Sequence, residues 1–231
     1  MAARTLRLAH RGDSRRAPEN TIAAFVAALS IPACDGLEFD VRLSADGVPV
    51  IYHDSTLERV HGRAEWVETL PAAALGALGV PTLAEVLATV GPRPFLDVEL
   101  KVDVGAVAVE VLAAARGREL TNAAVSSFHP AALDRVAHLA PAWSRWLNSD
   151  RLDQAVIAAA VELGCRGVAV AWRALDPGLV RHARAAGLDL MAFTVRRRAT
   201  FDRVARLGLV AVCVEGPALD GPAVDERGEE P

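Results

Sequence analysis

The chain has 231 residues, 52% of them apolar, with a formal net charge of −4 and a mean hydropathy of +0.24. This composition excludes an intrinsically disordered chain, because enough apolar surface can be buried to offset the entropy of ordering. The lack of a basic excess argues against a general nucleic-acid-binding protein. The length suits one α/β barrel, a fold that commonly takes about 200–250 residues, and we expect residues 1–231 to form a single domain.

Short β-type runs alternate with helical runs along most of the chain. Eight strands are predicted, at Leu6–His10, Gly36–Leu43, Phe95–Lys101, Ala123–Phe128, Trp143–Leu147, Gly167–Val170, Asp189–Val195 and Val210–Val214. Seven helices are predicted, at Asn20–Leu29, Thr82–Val90, Val104–Ala115, Pro130–Leu139, Arg151–Leu163, Pro177–Ala186 and Ala199–Leu207. Asn20 and Asp176 are the predicted N-caps. Strand and helix alternating in this way predict a closed (β/α)₈ TIM barrel.

The second unit departs from the regular repeat. A turn signal at residues 44–47 leads into Val48–His53, which is predicted to be an additional strand. Residues 54–80 are irregular, with a weak helical pattern near Ala72–Leu78. We interpret this stretch as a short insertion after the second strand unit and not as a second domain. After Gly216 the chain is rich in Pro, Gly and acids, and we expect a flexible tail over about residues 217–231.

Cysteine usage and targeting signals indicate the compartment. Cys34, Cys165 and Cys213 are odd in number and far apart, which indicates neither a disulfide framework nor a zinc site. A reducing, cytoplasmic setting is therefore expected. The N-terminus lacks the apolar core of a signal peptide, and no later apolar run approaches the ~18 residues of a membrane span. We expect no integral membrane segment and no nucleic-acid partner, and the sequence leaves the oligomeric state open.

Polar side chains concentrate at the ends of the first predicted strands, where the active site of such a barrel is built. They are His10, Arg11, Glu38, Asp40, His53, Asp54, Asp97, Glu99 and Lys101. Alternation along a strand places Glu38 and Asp40 on one face, and Asp97 and Glu99 repeat that spacing on the next barrel strand. Two neighbouring strands therefore aim carboxylates at the same end of the barrel.

These carboxylates predict a metal site. One strand carboxylate alone is more often salt-bridged or exposed. Glu38, Asp40 and Glu99 together would repel one another unless a cation lay among them. Oxygen ligands without cysteine favour a hard divalent ion, Mg²⁺ or Ca²⁺, over zinc. Asp97 starts deeper in the barrel and is expected to support the ligands rather than to be a fourth one.

A series of motifs resembles the glycerophosphodiester phosphodiesterase family. In chain order they are His10-Arg11-Gly12, Pro18-Glu19-Asn20-Thr21 with Phe25, Glu38-Phe39-Asp40-Val41, Asp46-Gly47, Val50, His53-Asp54, Leu57, Arg59, Gly62, Glu99-Leu100-Lys101 and Ser127-Phe128. The resemblance covers most of the chain in the right order, and its N-terminal part is the most specific.

The resemblance implies a barrel that hydrolyses glycerophosphodiesters to glycerol 3-phosphate and an alcohol with one divalent ion. The implied metal ligands are Glu38, Asp40 and Glu99. His10 and His53 would form the acid/base pair. Arg11 would bind phosphate, and Lys101 would lie beside the substrate.

Elementary phosphodiester chemistry is consistent with these roles. Cleavage requires neutralisation of the phosphoryl oxygens, activation of the attacking oxygen and protonation of the leaving alkoxide. His10 and His53 can supply the proton transfers, although either one alone could be an ordinary partly buried histidine and their order as acid and base stays open. Arg11 offers a bidentate fork and Lys101 a mobile point charge. Lys101 is the one lysine among 25 cationic residues, which suggests that an ammonium is required there.

The C-terminal half departs from the family pattern. Phe193-Thr194-Val195-Arg196 stands where members commonly have Trp-Thr-Val-Asn, and Val214-Glu215-Gly216-Pro217 where they commonly have Thr-Asp-x-Pro. The aromatic and the acid persist in altered form, so we expect Phe193 to keep its place in the pocket wall.

The remaining candidates surround the expected substrate. Phe128 and Trp172 are candidates for the apolar side of the pocket, although core packing is nearly as good an interpretation for Trp172. Arg196 to Arg198 could reach an anionic headgroup, but a solvated helix start is the favoured interpretation.

Three functions are compatible with these residues. The leading hypothesis is a metal-dependent phosphodiesterase acting on small, water-soluble glycerophosphodiesters. A phospholipase D-like enzyme of the same fold, acting on lysophospholipids or sphingolipids, is disfavoured by the short insertion. A barrel that binds a phosphorylated metabolite without turnover is disfavoured by the intact pair of His10 and His53.

Overall fold

The structure, a computed structural model, describes residues 4–221. Within that range it contains nine strands: β1 (Leu6–His10), β2 (Gly36–Leu43), β3 (Pro49–Ile51), β4 (Phe95–Leu100), β5 (Ala123–Ser127), β6 (Arg145–Ser149), β7 (Gly167–Ala171), β8 (Asp189–Val195) and β9 (Ala211–Val214). All except β3 pair in parallel around a ring, and β1 pairs with both β2 and β9. The ring is closed, which confirms the predicted (β/α)₈ barrel.

Helices follow most of the barrel strands and cover the outside of the ring. Residues 4–221 form α1 (Ile22–Leu29), α2 (Glu58–His61), α3 (Ala72–Gly76), α4 (Leu83–Val90), α5 (Gly105–Arg116), α6 (Pro130–Leu139), α7 (Gln154–Glu162), α8 (Pro177–Ala185) and α9 (Arg198–Ala205). The predicted N-cap Asp176 is confirmed, because its side chain accepts from two backbone N–H groups of α8. The predicted N-cap Asn20 is wrong: Thr21 caps α1 and accepts from the N–H of Ala24.

Alternating side chains divide the barrel interior into an apolar end and a polar end. The apolar layer at the amino ends of the strands comprises Leu8, Ala124, Trp146, Ala169, Met191, Ala211 and Cys213. Gly36 lies where β2 passes β4, and a Cβ there would lie 2.0 Å from the carbonyl oxygen of Phe95. Beyond this layer the inward positions become polar, so the chemistry is confined to the carboxyl ends of the strands.

The insertion adds β3 and the segment that carries α2 and α3. The β3 strand is antiparallel to β2, as the turn signal predicts, but it is shorter than the predicted Val48–His53 and ends before His53. A separate apolar cluster holds the insertion together and comprises Val50, Tyr52, Leu57, Val67, Leu75 and Val80. The N–H of Tyr52 donates to the carbonyl oxygen of Asp40 at 2.9 Å, which fixes the neighbouring His53 beside the end of β2.

The chain after Gly216 is packed as far as the structure describes it. Ala218 and Leu219 are buried, and Asp220 lies 2.8 Å from a guanidinium nitrogen of Arg15. The expected flexibility is therefore not observed over residues 217–221, and residues 222–231 lie outside the described range. Among residues 4–221, no helix has the length and hydropathy needed to cross a membrane.

Candidate active site

Most of the predicted site residues meet at one cavity at the carboxyl ends of the strands. The cavity has a volume of about 200 Å³. The predicted residues that line it are His10, Arg11, Glu38, His53, Asp97, Glu99, Lys101, Phe128 and Phe193. Asp40 is fully buried beside them. Strands that are far apart in the sequence thus deliver acids, cations and histidines to one place.

The three predicted metal ligands form a compact cluster. Oxygens of Glu38, Asp40 and Glu99 all lie within 4.8 Å of one another. Both carboxylate oxygens of Glu38 are buried without a hydrogen-bond donor among residues 4–221. Burial, together with the charges of Asp40 and Glu99, raises the pKa of Glu38 well above its ordinary value. A buried carboxylate with no donor is what a cation ligand requires, so the residues present fit a divalent metal ion.

Two cationic side chains and one amide contact the buried Asp40. The Nζ of Lys101 lies 3.0 Å from Oδ1, and Nε of Arg11 lies 3.1 Å from Oδ2. Asn20 donates to Oδ2 from its Nδ2 at 2.7 Å. Burial alone would raise the pKa of Asp40, but Lys101 and Arg11 outweigh it and bring the pKa to about 2. Asp40 is therefore ionised at every working pH.

Asp97 lies beside Glu38 in register, and its pKa is raised where that of Asp40 is lowered. It is 1% exposed. Burial raises its pKa to about 7, although a hydrogen bond with Ser126 opposes the shift. It does not belong to the cluster of Glu38, Asp40 and Glu99. The expectation that Asp97 supports the ligands stays a prediction.

His10 is held by an acid from the opposite end of the chain. Its Nδ1 lies 2.6 Å from Oε1 of Glu215, and its Nε2 lies 3.7 Å from Oε2 of Glu38. Burial opposes ionisation of Glu215, but hydrogen bonds from His10 and Arg196 lower its pKa to about 2. An ionised carboxylate can only accept, so Nδ1 of His10 carries the proton and Nε2 is the nitrogen that faces the acids.

His53 has the same arrangement with a partner next to it in sequence. Its Nδ1 lies 2.6 Å from Oδ1 of Asp54. Burial lowers the pKa of His53, although the nearby Asp40 opposes the shift. Arg59 donates to both Asp54 and Glu19, so the insertion is tied to the loop after β1. Each histidine is thus oriented by a carboxylate on its Nδ1.

Comparison with known proteins identifies the family. Residues 10–219 match the Glycerophosphoryl diester phosphodiesterase family. The chain belongs to this family. A glycerophosphodiester phosphodiesterase of Caldanaerobacter subterraneus is 28% identical over 236 residues, which cover 93% of this chain and 95% of that protein. A glycerophosphodiester phosphodiesterase of Bacillus subtilis is 27% identical over 250 residues, covering 94% of this chain and 85% of that protein.

A solved structure agrees with this assignment. A phosphodiesterase from Oleispira antarctica, solved in complex with the product sn-glycerol-3-phosphate, is similar with a TM-score of 0.81 and 29% identity. The match covers 91% of this chain and 93% of that one. The protein is accordingly a phosphoric diester hydrolase of the glycerophosphodiester phosphodiesterase family.

The aromatic residues of this phosphodiesterase separate into two groups. Phe128 and Phe193 both line the cavity, and their ring centroids lie 5.7 Å apart in an edge-on arrangement. The Nζ of Lys101 lies 5.9 Å from the ring centroid of Phe128. Trp172 does not line this cavity. It lines a neighbouring one, with Arg173 and Thr194.

The sequence does not predict the contacts that Asn20 and Glu215 make in the site. Asn20 was assigned to a helix end, but its φ of +58° turns the chain so that its amide reaches Asp40. Glu215 stood out only as a departure from the family pattern. Its hydrogen bond to His10 depends on the pairing of β1 with β9, which a local sequence pattern does not reveal. The resemblance signals both positions, because each lies inside a quoted motif.

Proposed function

We propose that this phosphodiesterase hydrolyses small, water-soluble glycerophosphodiesters to glycerol 3-phosphate and an alcohol, with one divalent cation and with His10 and His53 as the acid/base pair. One observation carries the proposal. Both histidines line the same cavity of about 200 Å³ as Glu38, Glu99 and Lys101. A phosphodiester bound in this cavity would be surrounded by proton donors and acceptors, cationic side chains and metal ligands.

Charge balance supports a requirement for the metal. The three clustered carboxylates outnumber the two cationic side chains beside them, Arg11 and Lys101. When all three carboxylates are ionised and no further cation is present, the site therefore disfavours a phosphodiester anion. A divalent ion held by Glu38, Asp40 and Glu99 would reverse the sign of the site and neutralise charge on the phosphoryl oxygens. Mg²⁺ and Ca²⁺ both suit an all-oxygen ligand set.

Side chains of the protein would bind the phosphate, transfer the protons and contact the apolar part of the substrate. Arg11 and Lys101 bind phosphoryl oxygens, the first as a fork and the second as a point charge. Glu215 and Asp54 keep the Nδ1 protons on His10 and His53. The Nε2 atoms are then the positions at which protons are taken from the attacking oxygen and given to the leaving alkoxide. Phe128 and Phe193 form the apolar wall beside the substrate.

A panel of diesters tests the reaction. Glycerophosphocholine, glycerophosphoethanolamine and glycerophosphoserine are each incubated with Mg²⁺ or Ca²⁺, and glycerol 3-phosphate is measured. His10→Ala and His53→Ala should each lower kcat by about 10²–10⁴-fold, the usual contribution of a general acid or base. His138→Ala is the matched control, because that side chain is 74% exposed on α6, and it should leave kcat unchanged.

Three results would contradict parts of the proposal. Turnover of lysophosphatidylcholine alone would favour the lipid-directed enzyme. Binding of the diesters without turnover would favour a non-catalytic barrel. Survival of activity in both histidine variants would end their assignment as acid and base.

The metal site has a test that does not depend on turnover. Mg²⁺ or Ca²⁺ should raise the melting temperature of the wild-type protein, because binding to the folded state alone stabilises it. Glu99→Gln should weaken that rise and the metal requirement for hydrolysis. An unchanged rise would remove Glu99 from the ligand set.

We also propose a reducing, cytoplasmic setting. All three cysteines are free, and Cys165 and Cys213 are buried. Labelling of the denatured protein isolated from its native cells should find three thiols, and a disulfide would contradict the proposal.

A further inference from the structure

A second cavity adjoins the active site and is rich in arginine. It has a volume of about 300 Å³ and is lined by Trp172, Arg173, Thr194, Arg196, Arg197 and Thr200. Thr194 lines the active-site cavity as well. Glu215 contacts a residue of each cavity, since it accepts from His10 of the active site and from Arg196 of the second cavity. Because Thr194 lines both cavities, the second cavity lies beside the place where the phosphate of a substrate would bind.

The arginines of this cavity differ in whether their charge is already compensated. Arg196 donates from Nε to Oε2 of Glu215 at 2.7 Å, so it has a carboxylate partner. Among residues 4–221, Arg173 and Arg197 form no ion pair with a carboxylate. Within the described part of the chain, no acidic side chain lines the cavity. This locally positive site stands out in a chain whose net charge is −4, and it would attract an anion.

Stacking holds part of this charge in place. The guanidinium carbon of Arg173 lies 4.4 Å from the ring centroid of Trp172. The guanidinium carbon of Arg203, which lines a different cavity, lies 5.2 Å from the same centroid. A stacked guanidinium loses little further conformational freedom when it binds a ligand, so it is pre-organised to donate hydrogen bonds to an anion. Because two guanidinium groups already lie against Trp172, its ring is a poor receptor for a quaternary ammonium. The cavity is suited to an anion and unsuited to choline.

We propose that this arginine cavity binds a carboxylate on the alcohol arm of the substrate. The proposal rests on the proposed function and narrows its substrate class to glycerophosphodiesters with an acidic alcohol. Arg173 and Arg197 are the specificity-determining residues. Each donates hydrogen bonds to the anionic group, and neither contacts the phosphodiester that is cleaved.

A matched pair of substrates tests the proposal. Glycerophosphoserine and glycerophosphoethanolamine share every group except one carboxylate on the alcohol arm, and glycerophosphocholine is the cationic extreme. We expect the wild-type kcat/KM to be about tenfold higher for the serine diester than for the ethanolamine diester, the effect of one or two charge-assisted hydrogen bonds. Raising the salt concentration from ~0.05 M to ~0.5 M should reduce that preference, because this site is open to solvent.

Variants of the two arginines assign the preference to the cavity. Arg173→Gln and Arg197→Gln should each lower kcat/KM for the serine diester about threefold to tenfold, and the double variant should abolish the preference. The value for the ethanolamine diester should change less than twofold. Arg93→Gln is the control, since it removes an exposed arginine from the loop before β4, at the opposite end of the barrel, and should change neither value.

The outcomes separate this proposal from the proposed function. Equal kcat/KM values for the two diesters, or a preference that persists in the double variant, would overturn the arginine cavity and leave the hydrolase assignment intact. Failure to hydrolyse any diester would contradict the proposed function instead. In that case calorimetric binding of the two diesters to the His53→Ala variant decides the cavity alone: tighter binding of the serine diester that is lost in Arg173→Gln supports it, and equal binding refutes it.

Discussion

Replacing Glu215 with Gln tests how His10 is held. The substitution keeps the size of the side chain but removes its charge. In the native protein Oε1 lies 2.6 Å from Nδ1 of His10, and Oε2 accepts from Arg196 at 2.7 Å. A glutamine amide can present either its oxygen or its nitrogen to Nδ1. When the nitrogen faces His10, the proton moves to Nε2, and the nitrogen proposed to face the substrate can no longer accept a proton.

The size of the effect follows from these contacts. A hydrogen bond to a charged group contributes about 1.5–3 kcal/mol, and each ~1.4 kcal/mol of transition-state stabilisation is a factor of ten in rate. Loss of the carboxylate should therefore lower kcat by about 10–150-fold. The KM should change little, because Glu215 contacts His10 and not the phosphate. We regard Glu215 as a positioning residue for that reason.

A pH profile tests whether titration of Glu215 contributes to the loss, and measurements of the fold separate positioning from a general loss of structure. The pKa of Glu215 is about 2, so the carboxylate is ionised throughout the range in which the enzyme is assayed. The ratio of wild-type to Glu215→Gln kcat should therefore not vary with pH from about 5 to 9 as a result of Glu215 titration. The assay is steady-state release of glycerol 3-phosphate at saturating metal, with circular dichroism and melting temperature as checks on the fold.

Arg196→Gln is the matched control for this prediction. It removes the outer partner of Glu215 but leaves the contact with His10, and Arg196 is 73% exposed. We expect less than about a threefold loss of kcat, since an exposed ion pair contributes little. If Glu215→Gln retains more than a third of the wild-type kcat, or if both variants lose activity equally, the positioning of His10 by Glu215 is refuted.

Three further predictions concern stability and the phosphate site. Gly12→Ala should destabilise the protein by about 2–4 kcal/mol in urea unfolding, because Gly12 has φ +85° and a Cβ would lie 2.6 Å from the backbone of Ala24. Gly47→Ala is the control, at φ +76° with open space around it, and should destabilise the protein by only about 1 kcal/mol. The pKa of Asp97 is raised to about 7, so this residue stabilises the metal-free protein at low pH, and that contribution is lost as pH rises from about 4 to 7. Asp97→Asn should flatten the fall of the unfolding free energy across that window. An unchanged slope would contradict the raised pKa. Lys101→Arg should lower kcat/KM at least about tenfold, because a planar guanidinium cannot replace a compact ammonium in so small a cavity. Undiminished turnover would show that hydrolysis does not require an ammonium at this position.

Local patterns were sufficient for the barrel but not for its details. The period-two runs predicted all eight barrel strands, with bounds that differ from the observed ones by at most two residues. The largest shift is at β6, predicted from Trp143 but observed at Arg145–Ser149. Trp143 packs in the core and donates from its indole nitrogen to the carbonyl oxygen of Arg118. An apolar residue just before a strand is indistinguishable by periodicity from the first residue of that strand.

The site could be predicted where its residues are close in sequence or share a strand face. Glu38 and Asp40 are two residues apart on β2, so alternation alone placed both on the inner face. Trp172 shows the limit of that reasoning. It follows β7 directly, and strand-end position cannot distinguish the substrate cavity from the neighbouring arginine cavity. The stacking of Arg173 and Arg203 on its ring is set by three-dimensional packing of residues up to 31 positions apart in the sequence.

Closure of the barrel completes the proposed active site. His10 ends β1 and Glu215 follows β9, 205 residues later, yet the two meet because β1 and β9 are neighbours in the ring. On the other side of β1, pairing with β2 aligns His10 with Glu38. A single strand thus presents one histidine to an acid that orients it and to an acid that would bind the metal. Opening the ring between β1 and β9 would leave the N-terminal motif intact in sequence but would separate His10 from its orienting carboxylate. We therefore expect activity to require the last strand, even though most of the specific motif lies in the first quarter of the chain.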